Sequence, residues 1–89
     1  MKIEYDRVKR AETLRLRGLD MARADEIFVA EILTVEDSRV DYGETRLLTI
    51  GYLQGRMVAL IWTPRGPVRR IISLRKANER EQAQYDPSA

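Results

Sequence analysis

The chain has 89 residues and a formal charge of +2, enough for one domain over residues 1–89 and too little for a second. Its 44% hydrophobic and 34% charged residues are a globular balance; no apolar run nears the roughly 18–20 residues of a membrane span, and Met1-Lys2-Ile3-Glu4-Tyr5-Asp6 is no signal peptide, so a cytoplasmic protein is expected. Cysteine and histidine are both absent, which excludes disulfides and thiolate zinc sites and removes the usual neutral-pH proton shuttle; neither a metal nor a cofactor is expected.

Ile3-Glu4-Tyr5 alternates as a short edge strand. Asp6 is an N-cap, and Val8, Ala11 and Leu14 recur at three-residue spacing, so a helix is predicted over residues 7–17, with Gly18 ending it in a left-handed conformation. Asp20 caps a second helix with the apolar stripe Met21, Ala24, Ile27 and Phe28. Residues 32–35 read as a strand and the acidic stretch 36–43 as a surface loop. A meander of three strands follows over 45–52, 56–63 and 68–72, the middle one most apolar and therefore central. Turns separate them at Leu53-Gln54-Gly55 and Pro64-Arg65-Gly66-Pro67. A last helix is predicted from about residue 73 to 85. The order gives an α+β fold: an N-terminal short strand and two helices, an antiparallel β-meander, and a C-terminal helix packed on the sheet. The helices are expected to cover one face carrying Leu48, Ile50, Leu60, Trp62 and Ile72.

Between Glu44 and Glu79 there is no carboxylate, yet Arg46, Arg56, Arg65, Arg69, Arg70, Arg75 and Lys76 lie there, seven of the sixteen basic residues. Such a block repels itself unless an anion is near, and a polyanion such as RNA is the simplest partner. Arginine outnumbers lysine thirteen to three; apart from coding bias, a planar guanidinium binds phosphate bidentately where an ammonium does not.

Arg75 and Lys76 fall in the first turn of the predicted last helix, with Arg70 just before it, where the positive helix end disfavours cations. A phosphate held by free backbone N–H groups and these three cations resolves the conflict. So does an i,i+4 pair of Arg75 with Glu79, with Lys76 left in water. Glu44 and Arg46, two apart on a strand, share a face; they orient a ribose and its phosphate or form an ordinary surface pair. Trp62, in the most apolar strand, reads as a core or partner-facing residue rather than a base-stacking platform.

Six segments then fall in a telling order: Ile3-Glu4-Tyr5-Asp6, Leu14-Arg15-Leu16-Arg17-Gly18, Glu26-Ile27-Phe28, Gly43-Glu44-Thr45-Arg46, Thr49-Ile50-Gly51 and Arg70-Ile71-Ile72-Ser73-Leu74-Arg75-Lys76-Ala77. Over nearly the whole chain they resemble the landmarks of the BrnT toxin family, the last segment being the most specific. Glu79-Arg80-Glu81 and Tyr85 also sit where that family's terminal helix places Glu and Tyr. The resemblance implies a RelE-like fold and a type II toxin, an endoribonuclease that blocks translation. It implies a BrnA-like antitoxin as partner, whose other end binds operator DNA, in a toxin–antitoxin heterotetramer. One departure stands out. Family members commonly end the first helix with Lys-His-Gly, where this chain has Leu16-Arg17-Gly18. Either that histidine only caps and shapes the helix, or this copy is catalytically weakened.

The reaction expected from the resemblance is metal-independent attack of a 2′-hydroxyl on the adjacent phosphorus. Arg46, Arg70 and Arg75 then stabilise the phosphorane, Lys76 steadies the leaving oxygen or scissile phosphate, and Glu44 or Glu79 is the base. Arg17, Arg65, Arg69 and Ser73 are expected to contact the RNA. Two other readings stay open: a non-enzymatic module that docks an antitoxin or nucleic acid through the basic face, and a small structural subunit with exposed edge strands.

Overall fold

The computed structural model describes residues 2–38, 41, 43–86 and 88. The alternating start forms β1 (Lys2–Tyr5), and Asp6 opens α1 (Arg7–Arg17) by accepting from the N–H groups of Val8 and Lys9 at 2.8 and 3.0 Å. The bond from Lys9 does most to hold the Asp6 carboxyl below its ordinary value. Gly18 ends α1 at φ +69°, where a Cβ would be strained, and its N–H donates to Leu14 O at 3.0 Å. Asp20 caps one 3-10 turn, Met21–Arg23, that runs into α2 (Ala24–Val29); the predicted second helix is present but opens tighter.

Four more strands follow: β2 (Glu31–Glu36), β3 (Leu47–Leu53), β4 (Arg56–Arg65) and β5 (Val68–Lys76). Of the loop expected at 36–43, Glu36 belongs to β2, and positions 39, 40 and 42 lie outside the described residues. The sheet order is β1-β5-β4-β3-β2, antiparallel except for the parallel β1–β5 pair, with the most apolar strand in the middle as expected. The final element is α3 (Glu79–Tyr85). Among the described residues no helix is long and apolar enough to cross a membrane.

Two expectations are corrected here. The last helix does not begin near Ser73: residues 73–76 continue β5, pairing Ser73 with Ile61, Leu74 with Leu60, Arg75 with Ala59 and Lys76 with Val58. The register shifts between Ile61/Ser73 and Trp62/Ile71, so Ile72 is an extra residue in the strand. The bulge puts Ile71 and Leu74, three apart, in the same core cluster, a spacing that mimics a helix. The true start signal is Asn78, whose side chain accepts from the Glu81 N–H at 2.8 Å while Glu81 accepts from the Asn78 N–H at 2.9 Å.

Nor do the apolar residues share one face. Period-two alternation across the β3–β4 register sends Leu60 and Trp62 one way and Leu48 and Ile50 the other. Leu60 and Trp62 join Leu19, Met21, Ala24, Ile27, Ile71 and Leu74 beneath α1 and α2. Ile50 packs with Met57, Ala59 and Ala77, with Leu33, Leu48, Tyr52 and Tyr85 around them, on the side of α3. Ile72, the bulge residue, is only half-buried. The sheet is thus covered on both sides, over its centre by α1 and α2 and only at one end by the short α3. Trp62 is a core residue: it meets Phe28 edge-to-face at 5.3 Å, and its Nε1 donates to Thr49 Oγ1 at 2.8 Å.

Candidate nucleic-acid interface

The part of the α3-side face that α3 leaves open carries the polar residues of β5. Arg70 stands in register between Glu4 of β1 and Thr63 of β4. Its Nη1 lies 3.3 Å from Glu4 Oε1. Thr63 is buried and donates its hydroxyl to Thr45 O at 2.6 Å, which pins the segment leading into β3. Beside that segment, Glu44 sits between two guanidiniums: Arg46 Nε is 3.6 Å from one carboxylate oxygen and Arg65 Nη2 is 3.7 Å from the other. Glu44 and Arg46 precede β3 rather than lying on it, so they meet through a bend and not through strand alternation.

Ser73 occupies the next row of the same face, beside Ile61, and Arg75 the row after, beside Ala59. Four residue steps along β4, from Thr63 to Ala59, separate the Arg70 and Arg75 rows, a distance of about 13 Å at the rise of a strand. Arg75 is held quite differently from Arg70. Its Nη1 and Nη2 donate to the two Glu81 oxygens at 2.7 and 3.0 Å, and the Glu81 side chain is only 14% exposed. The expected cluster of cations and free N–H groups at a helix start is therefore absent. The first turn of α3 holds Glu79 and Glu81, as the helix dipole favours, and the alternative pair Arg75–Glu79 is replaced by Arg75–Glu81. Glu79 itself is exposed.

The remaining predicted residues lie elsewhere. Lys76 pairs with Val58, on the α1/α2 side, and is exposed. Arg69 also points to that side, its guanidinium 3.8 Å from the Phe28 ring centre and 5.1 Å from that of Trp62. Arg17 donates to Leu74 O at 2.7 Å and Lys9 Nζ to Ile72 O at 3.2 Å, so α1 covers the stretch of β5 edge that lies beyond β1. Arg56 donates to Gly18 O at 2.9 Å.

The carboxylate-free stretch thus finds its counter-charges in other parts of the chain: Glu4 for Arg70, Glu44 for Arg46 and Arg65, and Glu81 for Arg75. Glu4, Thr63 and Glu81 were not among the site residues expected from the sequence. The Asn78-x-x-Glu81 signature made Glu81 legible, whereas Glu4 depended on a parallel β1–β5 pairing that local patterns do not encode. Geometry sorts the arginines into two kinds. The Arg75 pair is short and bidentate, which suits a structural tie. The pairs of Arg65 and Arg70 are 3.7 and 3.3 Å long, each net worth about 0–1 kcal/mol, so a phosphate can replace the carboxylate with little loss.

No curated protein matches this chain. Residues 5–81, however, match the family of the ribonuclease toxin BrnT of type II toxin–antitoxin systems. With its α+β architecture and the arginine-bearing sheet face, the chain belongs to the BrnT ribonuclease toxin family.

Proposed function

We propose that this chain is an endoribonuclease toxin that cuts RNA on the open face of its sheet, at the end where Arg46, Arg65 and Arg70 gather around Glu44 and Thr63. The observation that carries the reading is the looseness of the Arg65 and Arg70 ion pairs: these guanidiniums are placed by β4 and β5, yet each can exchange its carboxylate for a phosphate oxygen. In the reaction the 2′-hydroxyl attacks the neighbouring phosphorus, forming a bond to O2′ and breaking the bond to O5′. The products are a 2′,3′-cyclic phosphate and a free 5′-hydroxyl. Glu44 takes the 2′-hydroxyl proton, and the departing 5′-oxygen takes one from water. Arg46 and Arg70 stabilise the charge that builds on the non-bridging oxygens, and no metal is needed for that stabilisation.

Other roles follow from position. Arg65 and Ser73 contact the flanking strand, while Arg75 anchors α3 and acts as a positioning residue. Lys76, Arg69 and Arg17, on the other side of the sheet, take no part in the chemistry. Because Arg17 serves as a clamp on Leu74 O, its presence in place of a histidine leaves the sheet-face arginines undisturbed, which supports an active enzyme. Cutting messenger RNA stops translation in the cytoplasm. Neutralisation falls to a BrnA-like antitoxin, in a heterotetramer that reaches operator DNA only through the antitoxin.

Purified protein freed of antitoxin and incubated with total RNA in the presence of a chelator tests the reading. Cleavage that falls about 10²–10³-fold in Arg70→Ala and Arg46→Ala, with melting temperature unchanged, supports it. A mobility shift without products, or cleavage that survives both substitutions, points instead to a binding module.

A further inference from the structure

β2 closes the sheet on the side opposite β1, and among the described residues its one strand partner is β3. Its outward backbone groups therefore lack a ladder. The surroundings are apolar: Val29, at the end of α2, is 90% exposed, Ile32 37% and Val35 47%. The register shift between Glu31 and Leu33 sets the facing of the side chains. Leu33 and Val35 stand beside Ile50 and Leu48 on the α3 side. Glu31, Thr34 and Glu36 stand beside Gly51, Thr49 and Leu47 on the α1/α2 side, where Thr34 Oγ1 donates to Glu31 at 2.9 Å. The edge has one apolar margin and one acidic margin. Natural edges are commonly guarded by lysine or proline, and Glu31-Ile32-Leu33-Thr34-Val35-Glu36 contains neither. The open stretch of β5 is treated differently, with Lys9 and Arg17 bonded to its carbonyls.

We propose that the β2 edge receives an extended segment of the antitoxin as a sixth strand. Its alternate residues would be β-branched or aliphatic on the α3 side and Lys or Arg on the α1/α2 side. This rests on the antitoxin reading above and adds which surface is used and what sequence fits it. Charge selects the occupant. RNA is repelled by the Glu31–Glu36 margin, which has no cation on its strand. A second copy adding its own β2 brings four carboxylates together with none neutralised. A basic, amphipathic strand satisfies the ladder, the apolar margin and the acids at once. Position links the docking to inhibition. Glu36 pairs with Leu47, the neighbour of Arg46, so a segment running past Glu36 arrives at the proposed RNA site.

The test is amide hydrogen exchange on the full chain, alone and bound to the purified product of the reading frame encoded beside its gene, with affinities measured for wild type, Val35→Lys and the Glu31→Lys/Glu36→Lys double variant. Slowed exchange at the outward β2 amides, with binding weakened about tenfold or more in the variants, is expected. The exchange measurement on wild type stands even if a variant misfolds. A complex that forms with β2 exchange and affinities unchanged overturns the proposal while leaving the antitoxin reading intact. No complex at all removes both. Protection of β2 that rises with the concentration of the isolated protein assigns the edge to a second copy and also overturns it.

Discussion

Asp20 shows how one side chain can carry two duties. It caps the turn at Met21–Arg23 and receives a bidentate pair from Arg10, both bonds at 2.8 Å. The Arg10 bond, outweighing the opposing effect of burial, holds the Asp20 carboxyl below the usual aspartate range. A carboxyl depressed in the folded state adds stability above its unfolded pKa, about 4, and loses it as the pH falls through the folded value. Asp20→Asn keeps a capping oxygen but not the charge. Its urea midpoint should sit below that of wild type near neutral pH, and the gap should close as the solution is acidified below about pH 4. A gap that persists at low pH would show that packing, not charge, is at stake. Thr49 offers a second case: Thr49→Val strips the buried Trp62 N–H of its acceptor and should cost about 1–3 kcal/mol, read by tryptophan fluorescence during unfolding.

At the scale of elements, close approach decides the packing of α2. A Cβ built on Gly51 would lie 2.8 Å from Ile27 O and 3.0 Å from Ala30 O, and backbone carbonyls yield less readily than side-chain ends. Gly51→Ala should therefore destabilise by about 1–3 kcal/mol, with the melting temperature as the measure. The C-terminal helix depends on polar ties instead, since none of its residues is fully buried. Asn78→Ala removes half of the capping box and should cost about 1 kcal/mol; Arg75→Ala removes the bidentate tie from β5 to Glu81. Both should speed amide exchange within α3 while leaving β3 and β4 protected. Uniform acceleration across the sheet would contradict this. The sequence showed the helix but not its start. The predicted strand stopped at Ile72, whereas the bulge at that residue lets β5 run on to Lys76.

Across the whole molecule charge is segregated. Acids border the β2 edge, and loosely paired arginines occupy the far end of the α3-side face. RNA binding should weaken with salt, and each phosphate contact to a single strand contributes about 0.7 to the slope of log affinity against log salt. Arg70→Ala should reduce that slope by about one such contact, whereas Lys76→Ala, on the opposite side of the sheet, should leave it unchanged. Equal reductions would place RNA on both faces.

Local chemistry was sufficient for α1, with its Asp6 and Gly18 ends, for the central apolar strand, and for the run of cations between Glu44 and Glu79. Caps and alternation act within a few residues, and so they can be read along the chain. Which guanidinium meets which carboxylate could not be read that way. Glu4 reaches Arg70 across 66 positions of sequence, through a parallel pairing, and Arg75 joins the face of Arg70 only because β5 holds one bulge residue between them. Side-chain direction alternates with period two, so that single extra residue decided which arginines share a face. Only the assembled sheet contains it.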